Sequence, residues 1–457
     1  MKTWYHTAKR QGLELPKILG LSASIVVKSV KREEFQKEKT RLEKVLDATV
    51  ETCEGISMET FVNFATESVA FYPPSPTDSQ GINKMVSSVV YKAKVKLWKI
   101  QSEEMLALKT KMTNENNRST ALDNLQKDHK FFSNFILGSI EALLSLGLYS
   151  LVAMEESLLK ELRSKCSRTC SLFYDLSVRT EMQKVTEKAL AQIFEEAKKL
   201  FNTHQGVGKD KVVFFTSAKV MRLVGLLGEQ DGKKDRNKEL RCIVFVERKL
   251  TATALQYIIS QMEIPSVQAV GHVFSCNSNR NVKEPQERAE INSEKRRMNQ
   301  TLQRFRTGEI NVLVSTSVVE EGIDVPSCNL VIKFDFPQSF RSYIQSKGRA
   351  RKKDSRYVLM VEEGDKTKLV EYREWMEVYE MSIKECHNTD NNHNIEENDP
   401  FEDDDEECYK TSIARVSGSH ALNLLHQYLQ KIPVDRFTKL TAAWKYKVCL
   451  NSSIYFF

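Results

Sequence analysis

The chain lacks any apolar run long enough to cross a membrane. Its N-terminal stretch, MKTWYHTAKRQGLELPKILGLSAS, also lacks the apolar core of a secretory leader. No segment approaches the roughly 20 uninterrupted apolar residues that a membrane helix needs. A cytoplasmic protein is therefore expected, with the nucleus as the other compartment that fits.

Closely spaced cysteine pairs of the CxxC type are missing as well. The nine cysteines are an odd number without such pairs, which argues against a disulfide framework and for a reducing compartment. Cys166 and Cys170 are one helical turn apart, but no histidine lies near them to complete a four-ligand zinc set. We expect packed or exposed thiols at these positions and predict no metal site.

The charge balance is only mildly basic. Lysine and arginine number 68 against 61 acidic residues, for a net charge of +7 over 457 residues. Acid is concentrated in residues 402–407, so the remainder is distinctly basic, which favours a polyanionic partner without requiring one. The acidic run itself fits a solvated segment as well as a functional one. The length predicts two to four domains.

Proline is missing between Gln80 and Ile264, and apolar residues recur at helical spacing from about Lys28 to Phe201. This pattern predicts a helical domain over residues 28–205. From about Lys211 onward, short apolar runs alternate with amphipathic segments. Such alternation predicts an α/β domain with a parallel sheet flanked by helices over residues 206–365.

The two ends of the chain are expected to be parts of larger units. Residues 15–27 are predicted as one apolar strand, and no partner strand is predicted before it, so residues 1–27 are predicted to end a domain. Residues 366–408 are predicted as a helical extension and acidic linker. Residues 409–457 are predicted as a partial α/β domain, and truncation is expected at both ends.

The segment from Asn311 to Arg351 carries the most specific motifs. An apolar strand leads into the turn Ser315-Thr316-Ser317, an acidic loop EEGID follows, and the basic cluster QSKGRAR comes one short helix later. Hydroxyls at a strand-to-helix turn suit contacts with a phosphate backbone. Arginines can neutralise charge on a phosphoryl group during its transfer. The segment thus has parts for gripping a nucleic acid and a nucleotide.

These motifs resemble those of superfamily 2 helicases. QRFRTGEINVLVSTSVVEEGIDVP, residues 303–326, is similar to their fifth motif and QSKGRAR to their sixth, both in the second RecA-like domain. By this resemblance Arg349 and Arg351 would point at the ATP phosphates, with Gln345 supporting the site. Gly322 and Asp324 would approach the nucleotide ribose.

Two further segments fit the same resemblance. CIVFVER, residues 242–248, is similar to the fourth motif, and GLSAS, residues 20–24, to the third. Ser22 and Ser24 would then couple the ATP site to the nucleic acid, and Thr316 and Ser317 would face the RNA backbone.

The long helical segment between the third and fourth motifs resembles the helical insertion of the Dicer and retinoic-acid-inducible groups of RNA helicases. EEGIDVPSCNLVIKFD is most similar to Dicer, particularly the antiviral arthropod kind. SGSHALNLLHQYLQKIPVDRFTKL, residues 417–440, resembles the opening of the Dicer dimerisation-type domain, where RNA-sensing helicases carry a zinc-bound domain.

The Dicer resemblance implies an ATP- and Mg²⁺-dependent helicase region of an endoribonuclease in RNA interference and antiviral defence. Its implied partners are double-stranded RNA and a dsRNA-binding protein on the helical insertion. The chain contains no GxxxxGK[ST] loop and no DExH box, so neither ATP hydrolysis nor RNA cleavage is expected of these residues alone.

Other interpretations stay open at this stage. The chain could be a non-enzymatic module that binds dsRNA or a partner protein, or part of an RNA-sensing helicase. The segment from Tyr91 to Lys99 mixes lysines with aromatic residues. It could line RNA, or it could be a helix surface around a core tryptophan.

Overall fold

The fold is described from a computed structural model. The described residues are 11–13, 32–46, 48–50, 65–74, 82–111, 114–166, 176–206, 208–229, 239–274, 285–320, 323, 325–387, 408–410 and 415–417. The predicted strand at 15–27, the acidic linker and the elements predicted beyond Ser417 lie outside these ranges. The chain divides into two compact units, one of residues 20–38 and 51–388 and the other of residues 1–19, 39–50 and 389–457.

The elements are numbered in chain order. The described helices are α1 (Arg32–Leu46), α2 (Ile82–Lys111), α3 (Glu115–Leu144), α4 (Leu148–Cys166), α5 (Leu176–Thr203), α6 (Lys209–Phe214), α7 (Ala218–Gly228), α8 (Lys249–Gln261), α9 (Pro285–Thr307), α10 (Phe340–Lys347) and α11 (Lys366–His387). The described strands are β1 (Thr66–Tyr72), β2 (Cys242–Phe245), β3 (Val270–Val273), β4 (Val312–Ser315), β5 (Leu330–Lys333), β6 (Arg356–Glu362), β7 (Cys408–Lys410) and β8 (Arg415–Ser417).

Six strands of the larger unit form one parallel sheet in the order β1-β6-β5-β2-β4-β3. Every residue of the three strands β2, β4 and β5 is buried. Strands covered by helices on both faces are expected to be apolar throughout, and CIVF, VLVS and LVIK largely are. The predicted α/β class with a parallel sheet flanked by helices is confirmed.

Strand β1 is a departure from the sequence prediction. It lies inside the segment predicted to be helical, and it pairs along its whole length with β6, from Thr66 opposite Arg356 to Tyr72 opposite Glu362. The helical prediction for residues 28–205 therefore does not hold at Thr66–Tyr72. The α/β domain takes one strand from the chain before the long helices and five from the chain after them.

Helices α2 to α5, which come between β1 and β2 in the chain, pack into a bundle. Their apolar positions at helical spacing point inward, as the sequence pattern predicted for α3 and α5. Fully buried side chains of this bundle include Leu97, Leu125, Phe132, Ile136, Leu158, Leu190 and Phe194. None of the helices in the described ranges combines the length and apolar character that a bilayer crossing requires.

The bundle contacts the α/β part through a backbone contact at Gly147. The Tyr149 amide donates to the Phe215 carbonyl at 3.0 Å, and the Ser217 amide donates to the Leu146 carbonyl at 2.9 Å. Gly147 has a φ of +107°, and a Cβ placed there would lie 2.4 Å from the Phe215 oxygen. Only glycine fits this position, because its φ is positive and the neighbouring backbone leaves no room for a side chain.

The described part of the smaller unit includes a short antiparallel pair formed by β7 and β8, with Tyr409 opposite Val416.

Candidate functional site

The turn after β4 holds the hydroxyls that the sequence assigned to a phosphate backbone. Ser317 opens a single 3₁₀ turn, Ser317–Val319, and its side chain is exposed. Thr316 is 6% exposed, and its amide donates to the Val273 carbonyl at the end of β3 at 3.2 Å. The Thr316 amide is therefore used within the sheet, and Ser317 is the hydroxyl of this pair that a ligand can reach.

A buried ion pair lies next to this turn. Lys333 Nζ at the end of β5 is 2.7 Å from Glu320 Oε1, with the two side chains 6% and 5% exposed. Ser342 on α10 donates to the same Glu320 oxygen at 3.0 Å. Burial lowers the pKa of Lys333, and the Glu320 carboxylate opposes that shift. The pair joins the loop after β4 to β5 and α10.

Arg349 connects the two predicted motifs directly. Its two terminal nitrogens donate to the carbonyl oxygens of Glu320 and Ile323, each at 3.0 Å. The turn that carries it is anchored at the start of β5, where the Cys328 amide donates to the Arg349 carbonyl at 3.3 Å. In this arrangement Arg349 braces the loop after β4, and its predicted role toward ATP stays a prediction.

The other predicted site residues divide into described and undescribed ones. Arg351 is exposed, with its Nε donating to the Gly348 carbonyl at 2.8 Å, and Gln345 on α10 is half-buried. Gln345, Arg349 and Arg351 are thus brought onto one helix and the turn that follows it. The predicted ribose residues Gly322 and Asp324 and the predicted coupling residues Ser22 and Ser24 lie outside the described residues.

The carboxyl ends of β2, β4 and β3 are neighbours in the sheet, and further functional groups follow these strands. Lys249, just after β2, is exposed and lies with its Nζ 4.6 Å from the centre of the Phe274 ring, just after β3. Arg248 instead donates to the Gly138 carbonyl in the helical bundle. Of the residues around this edge, Lys249 and Phe274 were not identified from the sequence.

Asp335, just after β5, fixes the shape of this edge. Its carboxylate accepts from Lys219 Nζ at 2.8 Å and from the Glu247 amide at 2.9 Å. Lys219 also lies 4.0 Å above the Phe334 ring. Asp335 thereby ties the turn after β2 to the turn after β5. No local motif in the sequence marks it, because its partners are distant in the chain.

Thiols contribute no ligand cluster to this region. In the described ranges, no group of three or more His, Cys, Asp or Glu residues gathers closely enough to hold a metal ion. Burial raises the pKa of Cys328 to about 12, well above the range in which a thiolate forms at neutral pH. Cys242 is fully buried, and its pKa is raised for the same reason.

Comparison with known proteins agrees with this geometry. Residues 218–353 match the family described as the helicase conserved C-terminal domain. The chain is 26% identical over 453 residues to "Endoribonuclease Dicer homolog 2" of Arabidopsis thaliana, covering 96% of this chain and 30% of that protein. It is 33% identical over 227 residues to "Endoribonuclease Dicer" of Xenopus tropicalis, covering 44% of this chain and 11% of that protein.

A third relative is "Protein Dicer" of Schizosaccharomyces pombe, 32% identical over 239 residues, covering 51% of this chain and 16% of that protein. The chain thus spans less than a third of the length of each of these relatives. Residues 218–353 therefore carry a helicase conserved C-terminal domain, and the chain over nearly its whole length is similar to a Dicer-type helicase region.

Proposed function

We propose that this chain is the helical and second RecA-like part of a Dicer-type helicase region, which grips double-stranded RNA and couples ATP turnover to movement along it. The RNA would be bound through its shape and phosphates, since A-form RNA hides its base edges from side chains. In the intact protein the region would feed RNA to an endoribonuclease acting in RNA interference and antiviral defence.

The observation that carries this proposal is the link between two separate polar regions. Ser317 follows the carboxyl end of β4, and the exposed Lys249 follows the neighbouring strand β2, so this edge of the sheet is where we place the phosphate backbone. The turn with Arg349 and Arg351 is anchored at the opposite, amino end of β5 through Cys328. Arg349 binds the loop between them and so links the two regions through two hydrogen bonds.

The residues of this chain fit an ATP phosphate as donors. Arg349 and Arg351 each carry a guanidinium with several N–H groups, and Gln345 adds an amide on the same helix-turn unit. ATP would supply the phosphoryl group whose developing charge such arginines stabilise. The Mg²⁺ ligands are expected from another part of a Dicer-type protein.

Binding of blunt double-stranded RNA tests the RNA side of the proposal. We expect the purified chain to bind labelled RNA in fluorescence anisotropy, with an affinity that falls as salt rises, because phosphate contacts release counterions. Ser317→Glu places a negative charge at the proposed contact and should weaken binding at least tenfold. Ser260→Glu, on the exposed end of α8, adds the same charge elsewhere and should change the affinity less than about threefold.

The same assay separates the RNA contacts from the ATP contacts. Combined Arg349→Ala and Arg351→Ala substitutions should leave salt-dependent RNA binding within about threefold of the unchanged chain. A loss of that binding would contradict the assignment of these arginines to ATP. RNA-stimulated ATP hydrolysis by the purified chain would contradict the expectation that its motor function needs further residues.

A second candidate function is a platform for a dsRNA-binding partner protein, and the surface of α2 favours it. Tyr91, Val95, Trp98 and Leu106 are 69%, 46%, 63% and 66% exposed and lie along one face of the helix, opposite the buried Leu97. Trp98 is therefore not the core residue that one reading of the sequence suggested. An exposed apolar stripe of this kind is typical of a protein interface.

Trp98→Glu tests this second function. The substitution is expected to weaken binding of a purified protein with dsRNA-binding domains, from the same organism, by at least tenfold, since exposed aromatic side chains are frequent interface hot spots. Met376→Glu, at an exposed apolar residue of α11, is the matched control and should leave binding unchanged. Isothermal titration calorimetry gives both affinities, and equal weakening by the two substitutions would exclude α2 as the interface.

A further inference from the structure

A single carboxylate on the edge strand β1 holds the helix that leads to the arginine turn. Glu67 Oε2 accepts from the Tyr343 hydroxyl at 2.6 Å and from the Tyr372 hydroxyl at 3.1 Å. Glu67 Oε1 is 2.5 Å from Lys347 Nζ, and the two side chains are only 17% and 14% exposed. Three donors from two helices thus converge on one acidic side chain.

The two phenols of this cluster stay protonated under physiological conditions. Burial raises the pKa of Tyr343 and of Tyr372, and the Glu67 charge raises both further. Both phenols therefore remain donors far above neutral pH. Lys347 Nζ also lies 4.0 Å above the Tyr379 ring, in a cation–π contact with α11.

The contacts fix one face of α10. Tyr343 and Lys347 are four residues apart, which places both side chains on the same side of the helix. Tyr343 is fully buried and stacks on Trp375 of α11 at 5.7 Å. On another side of α10, Ser342 donates to Glu320. The helix is therefore held between two glutamates, one before the helical bundle and one after β4.

The arginine turn begins directly after this anchored end. Gly348 follows Lys347, and Arg349 then reaches the carbonyls of Glu320 and Ile323. Because Lys347 comes two residues before Arg349 and four before Arg351, the backbone of the arginine turn starts from the end of α10 that Glu67 holds. Pro73 and Pro74 come directly after β1 and restrict the backbone that leads toward α2.

We propose that Glu67 is a positioning residue for the turn of residues 348–351, through which the edge strand beside the helical bundle sets the placement of Arg349 and Arg351. The placement itself is independent of any ligand. Its consequence for ATP turnover rests on the function proposed above.

Hydrogen–deuterium exchange of the purified chain tests the placement. In Glu67→Ala, amide exchange across residues 340–351 should rise at least tenfold, while exchange across β2 and α8 changes less than about twofold. Glu67→Gln keeps one oxygen that can accept from the two tyrosine hydroxyls and loses the charge, so its effect should be smaller. Glu377→Gln, an exposed glutamate of α11, is the charge-matched control and should change neither segment.

A double-substitution cycle adds a readout that general destabilisation would not give. If Glu67 acts through Lys347, Lys347→Met alone should raise amide exchange at residues 348–351. Adding Glu67→Gln to Lys347→Met should then raise that exchange by less than half of the increase that Glu67→Gln causes in the unchanged chain. Equal acceleration in every segment, no local acceleration, or full additivity would each overturn the proposal.

ATP hydrolysis by a Dicer-type protein that contains this chain separates this proposal from the function it rests on. If Glu67 positions the turn and the arginines act on ATP, Glu67→Ala should lower kcat about tenfold and leave KM for ATP within twofold of the unchanged protein. Faster local exchange with unchanged kcat would keep Glu67 as a positioning residue and remove the ATP role of the arginines. Unchanged exchange would overturn the positioning role whatever the kcat.

Discussion

Lys333→Met is expected to lower the free energy of unfolding of the α/β part by about 3–5 kcal/mol. The substitution removes the cation 2.7 Å from Glu320 and leaves that carboxylate about 5% exposed, with the Ser342 hydroxyl still donating to it. A buried charge without a counterion keeps its desolvation cost and loses the attraction that offset it. Urea unfolding followed by circular dichroism measures the change.

A substitution of the partner residue, Glu320, shows whether the unpaired charge or the changed packing causes the loss of stability. Adding Glu320→Met to Lys333→Met removes both charges and should recover most of the lost stability, because apolar replacements of buried ion pairs are often close to neutral. Lys353→Met, at an exposed lysine nearby, is the control and should cost less than about 0.5 kcal/mol. A double variant as unstable as Lys333→Met alone would show that packing, and not the lone carboxylate, causes the loss.

Raising the pH from 10 to 12 is expected to unfold the larger unit. Burial raises the pKa of Tyr72 and of Tyr149 to about 12, and it raises the pKa of Tyr343, Tyr357 and Tyr372 as well. A tyrosine whose folded pKa exceeds its unfolded value near 10 stabilises the fold fully below pH 10 and loses that contribution as the pH rises through the folded pKa.

The expected size of the alkaline effect follows from the shifts. A phenol shifted to about 12, as those of Tyr72 and Tyr149 are, loses about 1.4 kcal/mol by pH 11, so these two together lose about 3 kcal/mol. The raised pKa values of Tyr343, Tyr357 and Tyr372 add to that loss, against the roughly 5–15 kcal/mol by which a domain is stable. The lowered pKa of Lys333 has the opposite effect on stability as the pH rises, but it comes from one group, whereas five tyrosines have raised pKa values.

Absorbance at 295 nm and circular dichroism at 222 nm, recorded on the same samples, check the alkaline prediction. Tyrosinate should appear in two stages, the second together with loss of helix. Tyr72→Phe removes one shifted phenol, keeps the ring and should move the midpoint to higher pH with little change in stability at pH 7. Ionisation of all 14 tyrosines below pH 11 with the helix signal intact would contradict the prediction.

The interior of the sheet was predictable because its strands are short, apolar and locally bounded. The apolar run from Leu330 to Phe334 predicts a strand, and β5 begins at its first residue. The run from Tyr357 to Val361 predicts a strand within one residue of each end of β6. The run from Val267 to Val270 predicts a strand that begins three residues before β3 does. Val267 lies in a turn whose amide donates to the Ile264 carbonyl, so its apolar side chain did not mark a strand.

Strand β1 could not be predicted in the same way. TESVAFY stands in a sequence dominated by helical periodicity, and what makes it a strand is pairing with β6 far along the chain. The residues of the candidate site likewise fall into those that a local motif identifies and those that only contacts distant in the chain identify. Motif spacing identified Ser317 and Arg349, whereas Glu67 and Lys333 act through contacts with residues that no local pattern connects to them.

The placement of β1 has a consequence for how the chain folds during synthesis. Glu67 and Tyr343 are 276 positions apart, so at about 5–20 residues per second roughly 14–55 seconds separate them on the ribosome. The helical bundle, built from neighbouring helices, can form within that time. Until β6 is made, β1 offers an unpaired edge to other chains. Of the described strands of this sheet, β1 is therefore synthesised first, and it is paired only after β6, the last of them, has been made.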